Sequence, residues 1–324
     1  MAAMWFVTGA AGFIGSNVVE HLLRAGATVV GFDSFATGTR KTIERLQRAG
    51  NRFTFVEGDI RDAETLARLV RGARVVVHLA AQVRVQESFR DYAYNNAVNV
   101  DGFLNVLRGA EEARARVFAY ASSCAVYGDN PALPLTEGAA LRPLSPYGVS
   151  KLANEGYASV LDSELAETTL VGLRLFNIYG PWQDAGGAYA AVIAKWIEAC
   201  LAGERPVMYG DGAASRDFCF VGDVARLIAD LGRIERKRPH GIYNVGTGEK
   251  TTLTQLFAAI AEAFRAGGKR LAFDSPRVEP WRAGDIVRSL ADISAARAAL
   301  GFAPATDLRA GLMRILAEQH GIGR

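Results

Sequence analysis

The sequence predicts an α/β protein in which a doubly wound parallel sheet is followed by a smaller α/β lobe. Three observations carry this. Short apolar, β-rich runs alternate with amphipathic stretches up to Phe176. A glycine-rich turn joins the first run to the first amphipathic stretch. After Phe176 the rhythm gives way to loops rich in Gly, Pro and Asp. Strands buried on both faces read as continuous apolar runs, and their alternation with helices selects right-handed crossovers within one sheet.

Taken in order, residues 4–7, 28–32, 53–57, 75–79, 117–121 and 169–175 read as strands. Residues 12–24, 39–49, 63–70, 88–113 and 147–165 read as the helices between them. Asp62 stands where a helix N-cap is wanted, because its carboxylate can accept from a first-turn N–H. Past Phe176 a helix is expected at 188–201, then a strand–helix–strand unit at 218–221, 223–231 and 242–245 that returns to the large sheet. Thr252 and Gln255 have capping-box spacing and open a further helix. The expected division is a larger domain of residues 1–176 plus about 218–245, and a lobe of about 177–217 plus 246–324.

Composition narrows the function classes. The 324 residues carry 37 Lys and Arg against 34 Asp and Glu, a net charge of +3, too balanced for a nucleic-acid partner. The basic run 233–238 contains Glu235 and no aromatic residue, and reads as a solvated helix end or loop. Cys124, Cys200 and Cys219 are scattered without metal-ligand spacing, so reduced thiols in a cytoplasmic protein and no metal are expected. No apolar run reaches the roughly 18 residues of a membrane span, and no signal-peptide pattern opens the chain. His21, His78, His240 and His320 lack partners of a catalytic kind and read as structural.

The turn is Gly9-Ala-Ala-Gly12-Phe13-Ile14-Gly15. Glycine is required where the backbone turns sharply, approaches a pyrophosphate and packs helix on strand. The helix start then faces the phosphates with free N–H groups and a partial positive charge. Asp33 closes the second strand, where a carboxylate can accept from the adenosine ribose diol and repel an added 2′-phosphate. This is the Rossmann arrangement, and it points to NAD; Arg40 and Lys41 are the cations that could argue for NADP. Asp59-Ile60 and Leu79-Ala80-Ala81 lie at carboxyl ends of strands, where open sheets of this kind bind ligands.

A second constellation follows. Tyr147 and Lys151 are four residues apart, one above the other on a helix face, and Ser123 closes the fifth strand. A phenol with a pKa near 10 is a poor base at neutral pH. An ammonium ~5 Å away contributes roughly 3 kcal/mol at an effective dielectric near 20, equivalent to about two pKa units. Bound NAD⁺ would add a second positive charge, and Tyr147 could then take a proton from a carbinol while hydride moves to nicotinamide, with Ser123 on the reacting oxygen and Lys151 on the nicotinamide ribose.

On these residues, together with Arg174-Leu-Phe-Asn177-Ile-Tyr-Gly-Pro181, Asp211-Gly-x-x-x-Arg216-Asp-Phe218 and Arg282-Ala-Gly-Asp285, the chain resembles the extended short-chain dehydrogenases/reductases. Within them it resembles the UDP-galactose 4-epimerases, nearly end to end. The resemblance implies that Asn99 and Phe176 lie against the cofactor and that Asn177 and Arg216 bind the diphosphate. It places Tyr209 against uracil, Val192 in the substrate site, Arg282 on phosphate and Asp285 on the uridine ribose. Related dehydratases carry an Asp-Glu pair after the strand-end hydroxyl, and related decarboxylases a glutamate; here Cys124 and Ala125 stand there. Epimerisation at C4 through a transient 4-keto sugar is what remains. Ser289 stands where epimerases restricted to non-acetylated sugars have tyrosine, so UDP-GlcNAc and UDP-GalNAc are expected beside UDP-Glc and UDP-Gal. The alternatives are a UDP-glucuronate 4-epimerase, with Arg84 as the group for a C6 carboxylate, and, more remotely, a non-catalytic dinucleotide sensor. A homodimer through a four-helix bundle of segments 88–113 and 147–165 is also implied.

Overall fold

Apolar runs become strands because each is flanked by turn residues and covered on both faces, and the computed structural model shows where they pair. It describes residues 4–186, 191–281 and 287–323. The strands are β1 (Met4–Thr8), β2 (Thr28–Asp33), β3 (Phe53–Glu57), β4 (Val75–His78), β5 (Val117–Ser123), β6 (Thr169–Leu175), β7 (Ile178–Tyr179), β8 (Val207–Tyr209), β9 (Ser215–Arg216), β10 (Cys219–Phe220), β11 (Gly241–Val245), β12 (Thr251–Thr252) and β13 (Arg277–Glu279). Seven form one sheet in the order β11-β6-β5-β4-β1-β2-β3. Strand order reverses at β1, which pairs in parallel with β2 (Met4 opposite Thr28) and β4 (Trp5 opposite Val75). That reversal opens the ligand crevice of a doubly wound sheet.

The helices are α1 (Phe13–Arg24), α2 (Arg40–Gln47), α3 (Ala63–Leu69), α4 (Val85–Arg90), α5 (Tyr92–Asn96), α6 (Gly102–Glu112), α7 (Pro146–Leu161), α8 (Val192–Leu201), α9 (Val221–Leu231), α10 (Leu253–Ala266), α11 (Ser294–Leu300) and α12 (Leu308–His320). Asp62 caps α3 by accepting from Thr65 N–H, and Thr252 with Gln255 forms a complete capping box on α10. The continuous helix expected at 88–113 is corrected. Asp91 accepts from Tyr94 N–H at 2.8 Å and so caps a new helix, α5, in mid-run. A π-turn, Ala97–Asp101, then precedes α6. The expected helix 188–201 is described from Val192 onward.

Two compact units result: Met1–Gly128, Leu141–Leu175 and Val224–Tyr243 form the first, and Asp129–Ala140, Phe176–Asp223 and Asn244–Arg324 the second. Residues 129–140 join the second because Leu135 bridges to Ala291 and its carbonyl accepts from Asn244 Nδ2. The first unit's core stacks Phe6, Phe32, Phe103, Phe118 and Tyr120. His78 lies among these rings, and burial drops its pKa to about 3, so it is a neutral core side chain. The second unit's core gathers Tyr179, Trp196, Phe257, Phe264 and Ile315.

One buried ion pair braces the first unit. Register places Ser122 of β5 opposite Arg174 of β6. The Arg174 guanidinium donates to both oxygens of Glu155 on α7, at 2.8 and 2.7 Å, and to the Tyr127 hydroxyl at 2.7 Å. Ser122 donates to the same Glu155 carboxylate. Both ionic side chains are 3% exposed, so removing one strands the other away from water. Arg174→Leu is expected to lower unfolding stability by about 3–5 kcal/mol in urea titrations. A loss below about 1 kcal/mol would show that the pair is dispensable.

Candidate active site

At the end of β1 the chain enters a turn that only bare backbone permits. Gly9 has φ +72°, and a Cβ there would sit 2.7 Å from the Ala80 amide nitrogen. A Cβ at Gly15 would sit 2.0 Å from the Gly9 carbonyl oxygen. Gly12 caps α1 without a side-chain acceptor, so the first-turn N–H groups that a helix cannot satisfy internally have none from the cap. Asp33 is buried, with Oδ2 accepting from Ala11 N–H at 3.0 Å and Oδ1 from Phe35 N–H at 2.7 Å. Burial raises its pKa, while hydrogen bonds from Phe35, Ala11 and Gly12 pull it down. Four carboxylate lone pairs exceed these donors, which leaves acceptor capacity for a diol. The cradle therefore fits the adenosine and pyrophosphate of a dinucleotide. Arg40 is neutralised by Glu57 at 2.9 Å and lies 4.8 Å over the Phe35 ring, an arrangement that does not favour a 2′-phosphate.

The other residues expected at the cofactor are placed unevenly. Phe13 and Ile14 are half-buried in the first turn of α1. Leu79 and Ala80, also half-buried, donate backbone N–H to Thr8 Oγ1 at 3.2 Å each, which fixes the end of β4 beside β1; Ala81 follows. Asp59 is engaged by Arg61 at 2.7 Å. Ile60 is a core residue, and a Cβ at Gly102 would meet it at 2.5 Å. Asn99 is buried: its Oδ1 accepts from Gln82 N–H, and its Nδ2 lies within 3.1 Å of Gln82 O, Asn95 Oδ1 and Ser150 Oγ. Ile60 and Asn99 thus support the site's walls. Phe176 is buried in the second unit, with its N–H on the Val245 carbonyl.

The structure brings Ser123, Tyr147 and Lys151 together. Ser123 ends β5 and caps the short 3-10 turn Cys124–Tyr127 by accepting from Ala125 N–H at 3.2 Å. Its hydroxyl also acts on the Tyr147 phenol, drawing the phenol's pKa down against burial. Tyr147 opens α7 behind Pro146, with Ser145 as N-cap. Gly148 allows the close approach: a Cβ there would lie 2.9 Å from the Ala125 carbonyl oxygen. One turn on, the buried Lys151 ammonium sits 5.9 Å from the Tyr147 ring centroid and donates to the Ala121 carbonyl at 2.8 Å.

The electrostatics correct the sequence argument. Burial pushes the Tyr147 phenol up to about 12; Ser123 pulls the other way, and Cys124 adds to the rise. Burial brings Lys151 down to about 8. The same low-dielectric surroundings disfavour both charged forms, and Lys151 is anchored on a backbone carbonyl rather than on the phenol. The two-unit depression expected from lysine alone is therefore absent.

In the second unit, Asn177 Nδ2 donates to the Asp217 carbonyl at 3.2 Å, and Arg216 Nη1 to the carbonyls of Ser215 and Val287. Tyr209 and Val192 are half-buried. Ser289 is 7% exposed, with its hydroxyl lacking a partner. Arg282 and Asp285 lie outside the described residues. Arg84 is paired with Glu87 at 3.0 Å, which weakens it as a receptor for a sugar carboxylate. Sequence reasoning assigns no role to Glu155 or Asp217. The four-residue steps Tyr147, Lys151, Glu155 are the signal for the first; Asp217 has only its place beside Arg216. Among the described residues, no cluster of three could hold a metal, and no helix is long and apolar enough to cross a membrane.

Comparison with known proteins agrees with this geometry. Residues 5–246 match the model of the NAD dependent epimerase/dehydratase family. A UDP-glucose 4-epimerase of Mycolicibacterium smegmatis is 37% identical over 313 residues, covering 95% of this chain and 96% of its own length. A UDP-N-acetylglucosamine 4-epimerase from Methanobrevibacter ruminantium, solved with UDP-N-acetylmuramic acid, superposes with a TM-score of 0.88 at 32% identity, covering 98% and 100% of the two chains. The Thermus thermophilus UDP-glucose 4-epimerase, solved with NAD, gives 0.84 at 35% identity, covering 98% and 99%. A glycine cradle and a Ser–Tyr–Lys group in one seven-stranded sheet, matched by relatives along nearly the whole chain, place this protein in the NAD-dependent epimerase/dehydratase family.

Proposed function

We propose that the chain is an NAD-dependent UDP-hexose 4-epimerase, acting on UDP-Glc and UDP-Gal and also on UDP-GlcNAc and UDP-GalNAc. The observation that carries this is the buried Tyr147 phenol with the Lys151 ammonium 5.9 Å from its ring and tied to the end of β5 that bears Ser123. The relatives' names agree with it. Gly9, Gly12, Phe13, Ile14 and Gly15 would hold the pyrophosphate and Asp33 the adenosine ribose. Asp59, Leu79, Ala80, Ala81 and Phe176 would line the rest of the cofactor site, with Ile60 and Asn99 backing it. Bound NAD supplies a reversible hydride acceptor and a positive charge. Tyr147 takes the proton from the C4 hydroxyl and later returns it. Ser123, its hydroxyl oriented by Ala125 N–H, hydrogen-bonds the reacting oxygen. Lys151 is the chain's own cation at the phenol. Asn177, Arg216 and Arg282 are assigned to the diphosphate, Tyr209 to uracil, Val192 to the substrate site and Asp285 to the uridine ribose, since guanidinium suits phosphate and carboxylate suits a diol.

Two finer assignments have support of their own. The small, buried Ser289 leaves volume for a C2 N-acetyl group. Apolar side chains face solvent on α4, α5 and α7: Phe89 is 53% exposed, Tyr92 69% and Val160 75%, and Val149 and Tyr157 share the outer face of α7 with Val160. A Cβ at Gly156 on that face would meet nothing within 4 Å, so a second α7 can approach closely. A homodimer through these helices covers the patch. The three cysteines form no disulfide with one another, which suits a cytoplasmic protein.

Tyr147→Phe is expected to lower kcat with UDP-glucose by about 10²–10⁴-fold while leaving NAD affinity intact; unchanged turnover would remove the mechanism. Ser289→Tyr should depress UDP-GlcNAc turnover about 10–100-fold more than UDP-Glc turnover, and an equal effect on both would refute the pocket assignment. Val160→Glu, by burying a charge at the bundle, should convert the dimer to monomer in sedimentation velocity at micromolar concentration; an unaltered dimer would place the interface elsewhere.

A further inference from the structure

The Asp217 carboxylate is fully buried, and among the described residues its charge is met by N–H and O–H donors alone. Oδ1 accepts from the Thr247 N–H at 2.7 Å and the Thr247 hydroxyl at 2.6 Å. Oδ2 accepts from Gly248 N–H at 3.0 Å and Ala291 N–H at 3.2 Å. Burial raises its pKa, and these bonds oppose the rise. The fit leaves no slack: a Cβ at Gly246 would lie 2.6 Å from Oδ2 and 2.9 Å from the Ala291 methyl.

Three chain segments meet at this one charge. Its own segment carries Arg216, and its carbonyl accepts from Asn177 Nδ2. The segment held through Ala291 carries Ser289, whose N–H is bonded to the Ser215 carbonyl at 3.1 Å. The third is the turn after β11, Thr247 and Gly248. We infer that Asp217 is a positioning residue for nucleotide recognition: its buried carboxylate locks the backbone segments that present Asn177 and Arg216 to the diphosphate onto the segment that presents Ser289 to the sugar. The inference rests on the UDP-sugar reading above.

A neutral amide cannot serve the same node. Asp217→Asn turns one acceptor into an NH₂ group facing backbone N–H donors, so part of the cluster becomes repulsive. Thr247→Val is the milder change and removes a single donor to Oδ1. The test is calorimetric titration of UDP and, separately, of NAD, with steady-state kinetics on UDP-glucose and a thermal scan to establish folding. Both variants should bind UDP more weakly, about tenfold or more for Asp217→Asn and less for Thr247→Val, with KM rising in parallel. NAD affinity and kcat at saturating UDP-glucose should stay within about threefold, a split that a merely structural role does not produce. A folded Asp217→Asn protein that binds UDP like the unaltered chain overturns the inference, as does an equal fall in kcat and NAD affinity. Failure of the unaltered protein to bind UDP at all would overturn the UDP-sugar reading itself, and this inference with it.

Discussion

The bidentate contact between Arg174 and Glu155 is the constraint on which the catalytic geometry hangs. Taking two ions out of water costs several kcal/mol each, and mutual attraction repays this only when the remaining lone pairs and protons are also satisfied. Here Ser122 occupies Glu155 and Tyr127 occupies Arg174. Each partner belongs to an element that bears a reacting group. Ser122 precedes Ser123 on β5, Tyr127 ends the turn that Ser123 caps, and Glu155 lies one turn beyond Lys151 on α7. A hydrophobic replacement could give comparable stability, but it would not fix α7 along its axis against two strands. Directional bonds do, and the distance between Ser123 and Tyr147 depends on that axial position.

Such rigidity bears on the electrostatics. Burial places a phenol and an ammonium side by side while discouraging the charge of either, with Tyr147 up at about 12 and Lys151 down at about 8. A resting site of this kind keeps its proton, since a permanent phenolate in a poorly solvated cleft would be expensive. Basicity must come with a change in local charge. A tyrosine whose own surroundings hold it protonated responds strongly when positive charge arrives, because low dielectric magnifies the interaction. On the proposed reading, the positive charge of bound NAD would add to that of Lys151 in favouring the phenolate.

Much of this was legible in the residues, and the exceptions have identifiable causes. The apolar runs of β1 to β6, the glycine turn and the caps at Asp62 and Thr252 follow from local rules, so they appear where spacing puts them. The segment 88–113 kept an amphipathic pattern across a break, because Asp91 acts as a cap and Asn99 draws the chain into a π-turn through bonds to Gln82 and Ser150. The Asp91 cap is a local signal like Asp62, whereas the partners of Asn99 are 17 and 51 residues away and no local window shows them. Ile60 and Asn99, expected at the cofactor, are also held by tertiary packing and hydrogen bonds that local pattern does not show. Tyr147 was the clearest case of a correct constellation with an incomplete energy argument. Spacing gave the lysine's proximity, but only three dimensions reveal that its ammonium is tied to Ala121 and desolvated.

The short turn after Ser123 decides what such a site can do with an oxidised sugar. Loss of water or carbon dioxide from a 4-keto sugar needs a proton acceptor or donor near C5 and C6, and a carboxylate in this turn is the simplest way to provide one. Cys124 and Ala125 offer no carboxylate. With no group in the turn to drive elimination, the keto sugar's productive exit is reduction at the carbon just oxidised. Inversion then requires only that the sugar present its other face before hydride returns. A single acid/base, held at fixed height by the Glu155–Arg174 brace, serves both faces, because it acts on the C4 oxygen in either direction. The lack of a carboxylate in this turn is as much a part of this chemistry as the presence of Tyr147.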